Sequence, residues 1–212
     1  MLDFYAAEKS AISSLLKLHN IPFGNAEISL YSDINRSYWE MFERGEIKKE
    51  QIFAGRFKTF LEAVRREGDP EKMASDYFGL LSEGSQLMEG ATEILDYLKS
   101  RGYTLCATTN GVANTQFKRI KNSGLEPYFD YVFVSETTGR QKPEKEYFDY
   151  VIEHSPEKDR SKILIVGDSL SSDILGGINA GLDTCWFNPT GEKAKYPVTY
   201  QIKALSELKS IL

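Results

Sequence analysis

Histidine and cysteine are nearly absent from this chain, with two of each in 212 residues. His19 and His154 each stand near the end of a predicted helix without a second ligand at metal-binding spacing. That argues against a zinc site and against a histidine-based triad. Cys106 and Cys185 each sit inside an apolar strand-like run, where a free thiol behaves as a small hydrophobe in a reducing, cytoplasmic setting. No apolar run reaches the roughly 18 residues of a membrane span. The N-terminus also lacks the basic and then apolar segments of a secretory signal. Basic residues are outnumbered, with 26 Lys+Arg against 31 Asp+Glu and a net charge of −5, so neither a nucleic-acid polymer nor a membrane surface is an expected partner. Internal repeats and low-complexity segments are missing as well. The chemistry must therefore run on carboxylates, lysine, hydroxyls and backbone amides.

What is present has two textures. Residues 5–84 read as helices only. Apolar residues recur at helical spacing as Ile12, Leu15 and Leu16, as Tyr31, Ile34, Tyr38 and Phe42, and as Phe53, Phe57, Phe60, Leu61 and Val64. These stripes read as bundle core. Asp69-Pro70 reads as an N-cap followed by proline at the first helical position. From about residue 87 helix and strand alternate. The predicted helices are 91–100, 112–122, 144–154, 173–180 and 205–212; the predicted strands are 103–108, 131–134, 163–166, 184–187 and 198–202. Strict alternation of this kind implies an α/β fold, a parallel sheet covered by helices on both faces.

In a parallel sheet all strand ends share one rim, so the residues that follow each strand form one set. Ile163-Leu164-Ile165-Val166 is a buried-strand pattern that runs into Gly167-Asp168-Ser169, with Asp173 five positions beyond Asp168. Two carboxylates so placed can reach one small hard cation such as Mg²⁺. Asp173 could equally only cap or charge-complement its helix. The strand before it ends in Thr108-Thr109-Asn110-Gly111 at a helix start. That is either an anion-binding turn or an ordinary cap with a turn glycine. Lys142 precedes Pro143 at the opening of another helix, where a cation opposes the helix dipole and an anionic ligand would account for it. Together these residues are parts of phosphoryl-transfer chemistry, yet none of them is a nucleophile.

Thr109-Asn110-Gly111, Lys142-Pro143 and Gly167-Asp168 with Asp173 resemble, in order and spacing, motifs II, III and IV of the haloacid dehalogenase-like hydrolase superfamily. Residues 173–181 resemble its pyrimidine 5′-nucleotidase branch most closely. The resemblance implies a Rossmann-like core (85–212 with 1–4) and an inserted all-helical cap (5–84). It implies a Mg²⁺-dependent phosphomonoester hydrolase acting on a nucleoside 5′-monophosphate or a similar small phosphate. Thr109 would bind the phosphoryl oxygen with Asn110 and the Gly111 amide beside it, and Lys142 would neutralise the phosphoryl group. Asp168 would ligate Mg²⁺, while Asp173 would hold a metal-bound water or pair with Lys142. The family's motif I, a strand ending Asp-x-Asp-x-Thr that carries the nucleophile, has no counterpart: the chain contains no Asp-x-Asp. Met1-Leu2-Asp3-Phe4 resembles the residues just after that motif. The expectation is a nucleophile encoded upstream of Met1, on a central strand that this chain lacks, and no turnover by the chain as written. The alternative is an inactive phosphate- or Mg²⁺-binding regulatory module.

Overall fold

A computed structural model describes residues 1–212. Its contacts divide the chain into two units, a helical one (Leu2–Gln86 with Phe117–Ser123) and an α/β one (Met1, Leu87–Gln116 and Gly124–Leu212).

The helical unit is built on α1 (Phe4–Leu18), α2 (Asn25–Glu43), α3 (Lys49–Ala63) and α4 (Pro70–Ser82). Local chemistry sets their starts. The Asp3 carboxylate accepts from the Ala6 N–H at 2.9 Å, and Asp69 accepts from Glu71 and Lys72 ahead of α4, with Pro70 in its first turn. Glu27 and Gln51 reach back to the backbone N–H groups of Gly24 and Lys48. From the predicted stripes Ile12, Leu15, Leu16, Tyr31, Phe57 and Phe60 meet inside fully buried, together with Met73 and Tyr77 of α4. Each such side chain contributes about 1.5–3 kcal/mol on burial, so this unit rests chiefly on its core.

In the α/β unit α5 (Ala91–Ser100) leads to β1 (Cys106–Thr109). Next come α6 (Ala113–Asn122, whose last turns belong to the helical unit), β2 (Tyr131–Val134) and the single turn α7 (Ser135–Thr138). After α8 (Lys145–Glu153) and β3 (Leu164–Gly167) the chain makes a π-helical turn at Leu170–Ile174 and continues as α9 (Leu175–Asn179). It ends in β4 (Asp183–Phe187), β5 (Tyr200–Ile202) and a 3₁₀ segment, Leu205–Ser210. All strand pairs are parallel, as alternation requires, but they form two sheets, β1-β2 and β3-β4-β5. β1 and β3 are both edge strands. Accordingly β1 is only half-buried and Val166 is 38% exposed, where the apolar pattern of β3 leads one to expect burial on both faces. Two packed clusters hold the sheets. One joins Ile94 and Leu98 to Cys185, Ile202 and Leu208, and the other joins Phe133, Tyr147, Phe148 and Val151 to Leu182. Cys185 is buried and Cys106 half-buried, both as free thiols.

Candidate active site

Lys142 ties the ends of the two sheets together. Its Nζ donates to the Thr108 carbonyl at the tip of β1 (3.1 Å) and to Asp173 Oδ1 in the π-helical turn after β3 (2.6 Å). Both side chains of that ion pair are about nine-tenths buried. The Lys142 backbone is held in turn by Asn110, whose Nδ2 donates to the Lys142 carbonyl (2.8 Å) and whose Oδ1 accepts from its N–H (2.9 Å). Both ends of the Asn110 side-chain amide are thus engaged by the Lys142 main chain. The Lys142–Pro143 peptide is cis, and Asn179 Nδ2 donates to the Pro143 carbonyl at 3.1 Å.

The Asp173 carboxylate is fixed on its other side by the Ser169 N–H (3.2 Å). The cap at the start of this turn is Ser169, whose Oγ accepts from the Ser172 N–H. Asp173 is thereby freed from the capping role and turned toward Lys142. Gly167 makes that approach possible, since a Cβ there would lie 2.2 Å from Asp173 Oδ2. Asp168 follows Gly167 and keeps a face open to solvent. Crowding by protein around its carboxyl, and after that the negative charge of Asp173, push its pKa above the ordinary carboxylate value. Its main chain is anchored by Trp186 Nε1, which donates to the Asp168 carbonyl at 3.0 Å.

Thr109 and Gly111 sit half-buried at the end of β1. Thr109 Oγ1 accepts from the Gly111 N–H at 3.0 Å, so this amide faces the threonine hydroxyl and would have to turn to meet a ligand. The start of α6 is held by Glu136, whose carboxylate accepts from the Ala113 N–H. The sequence analysis did not single out Trp186, Glu136 or Asn179. The indole N–H at the end of an apolar strand was a usable sign, because a buried Trp seeks an acceptor. The Glu136 and Asn179 contacts depend on loop paths that no local pattern encodes.

The donor set suits Mg²⁺. Asp168 and Asp173 bring two carboxylates together against one close cation, Lys142, and leave an excess of negative charge on hard oxygen ligands. A two-carboxylate set would leave the remaining positions to water and substrate oxygens, as Mg²⁺ usually takes them.

Known proteins share both the sequence and this architecture. The family model for haloacid dehalogenase-like hydrolases matches residues 6–181. The HAD-hydrolase YfnB of Bacillus subtilis is 43% identical, over 100% of this chain and 91% of its own. Its magnesium-bound crystal structure superposes with a TM-score of 0.94 over 99% of this chain and 92% of that one. The pyrimidine 5′-nucleotidase PynA of Streptococcus pneumoniae is 35% identical over 100% of this chain and 90% of its own. The pyrimidine 5′-nucleotidase YjjG of Escherichia coli is 33% identical over 92% and 86%. With lysine, threonine and paired aspartates gathered at the carboxyl ends of parallel strands, and with such a match along its length, this chain belongs to the haloacid dehalogenase-like hydrolases.

Proposed function

We propose that the protein is a Mg²⁺-dependent phosphatase of nucleoside 5′-monophosphates, pyrimidine nucleotides first. The observation that carries this reading is the Lys142–Asp173 pair beside Asp168 at the end of β3. Two relatives along nearly the whole chain are named pyrimidine 5′-nucleotidases, which supports the substrate class.

Thr109 Oγ1 and Lys142 Nζ would receive the phosphoryl oxygens, while Asn110 holds Lys142 in place from behind. Lys142, shared between Asp173 and the Thr108 carbonyl, would gather the negative charge that develops on the transferring group. Mg²⁺, held by Asp168 and reached through Asp173, would shield the repulsion between an anionic nucleophile and an anionic ester. A carboxylate oxygen of the enzyme would form the new P–O bond as the bond from phosphorus to the nucleoside oxygen breaks.

The test is a substrate panel on the purified protein, with and without Mg²⁺. UMP and its deoxy counterparts should show the highest kcat/KM, with turnover abolished by a chelator. Asp168→Asn should lose turnover by orders of magnitude with an unchanged circular dichroism spectrum. A panel led by hexose phosphates would overturn the substrate reading, and undiminished activity of Asp168→Asn would overturn the metal assignment.

A further inference from the structure

We propose that the helical unit carries a nucleobase site between α1 and α2, with Glu8 as its fixed hydrogen-bond acceptor and Tyr5 as its stacking surface. An open surface groove of about 390 Å³ lies there, lined among others by Tyr5, Glu8, Lys9, Ser29, Ser32 and Arg36. That volume is in the range of small-molecule sites. Its charges balance: Lys9 and Arg36 stand against Glu8 and Asp33, and Arg36 already reaches Asp33 at 3.4 Å. A free anion gains little from such a lining, whereas a neutral heterocycle with donors and acceptors on its edge fits it. The Tyr5 ring is 65% exposed and meets Phe4 edge-on, and any base presents a π-face to it.

The interior behind the groove is built to immobilise Glu8. This residue is 2% exposed. Ser32 Oγ donates to its Oε2 at 2.8 Å and Asn35 Nδ2 to its Oε1 at 2.6 Å, while Asn35 Oδ1 accepts from Arg56 Nη1 at 2.7 Å. Arg56, itself 2% exposed, lies over the rings of Tyr77 (4.6 Å) and Phe57 (5.1 Å) with Nε and Nη2 unpaired. An apolar side chain of similar volume would serve the core as well or better, so packing alone does not account for a cation here. What Arg56 does accomplish is to orient Asn35, and through it the Glu8 carboxylate. Each carboxylate oxygen retains acceptor capacity beyond its one bond. A rigid acceptor of this kind selects an N–H edge, such as the imino group of uracil or thymine or the amino group of cytosine. Arg56 is then a positioning residue.

The identity of the base rests on the nucleotidase reading, whereas the site itself does not. The test therefore uses uridine, which has no phosphate and needs neither metal nor turnover. Titrated into the 212-residue protein and followed by amide chemical shifts, uridine should move resonances of α1 and α2, and glucose 6-phosphate should leave them in place. Tyr5→Ala, which removes the proposed stacking ring, and Glu8→Gln, which keeps the shape but not the charge, should each weaken uridine binding by about tenfold or more. Absence of shifts, shifts confined to other elements, equal shifts from glucose 6-phosphate, or unchanged affinity in both variants would overturn the proposal. A panel on which nucleotides rank low, with uridine still bound at α1 and α2, would instead overturn the nucleotidase reading alone.

Discussion

Asn110 and Gly167 show how individual residues set up Lys142 and Asp173. Asn110→Ala removes both partners of the Lys142 main chain in a buried setting. Leaving a buried donor and acceptor unmatched costs about 1–3 kcal/mol each, so the variant should unfold at markedly lower denaturant. Its kcat should fall further than its KM rises, because Lys142 stays present but misplaced; denaturation curves and steady-state kinetics read the two effects. Gly167→Ala puts a methyl group 2.2 Å from Asp173 Oδ2. Asp173 must swing away, at a cost of about 1–3 kcal/mol for the crowding, and Lys142 loses its ion pair. Turnover should fall as far as in Asp173→Ala, and a variant as active as the parent would show that the pair is dispensable. Spacing after the strands was enough to name Thr109, Lys142, Asp168 and Asp173 as candidates. It could not say that Asn110 faces Lys142, since that depends on the path of the 135–142 loop, 32 residues away.

The helices were legible because their starts and faces are both written locally: Asp69 with Pro70, and apolar residues at every third and fourth position. The strands were legible in kind but not in length. Residues 103–105 continue the apolar alternation of β1, yet the Leu105 N–H goes to the Asp130 carboxylate (2.8 Å), and pairing begins only at Cys106. The C-terminal segment carries a helical pattern but winds as 3₁₀ over Leu205–Ser210. Within α1, Glu8 was hidden among polar positions that sequence alone assigns to solvent. Burial, its largest influence, raises its pKa above 4.5, and its bonds to Ser32 and Asn35 and the charge of Arg56 oppose that rise. The native state thus binds its proton more readily than the unfolded chain does. The contribution of Glu8 to stability is full below pH 4.5 and declines as pH rises from there through the raised native value. Glu8→Gln has no proton to gain. The melting temperature of the parent relative to Glu8→Gln should therefore increase as pH is lowered across that window. A constant difference from pH 7 to 4 would mean that Glu8 titrates normally.

At the scale of the whole molecule, two parallel sheets that each end in an edge strand pose a question that burial alone cannot answer. The unpaired main-chain groups of β1 and β3 need partners, and an open edge invites another strand. Val166, 38% exposed in a run of β-branched and aliphatic residues, is coded for a covered position. Main-chain amides of β1 and β3 that face the open edges should therefore exchange rapidly with solvent, while those of β4, paired on both sides, should be protected. Native-state hydrogen exchange reads the two classes directly. Protection of the outward-facing β1 and β3 amides equal to that of β4 would show that these edges are covered in solution.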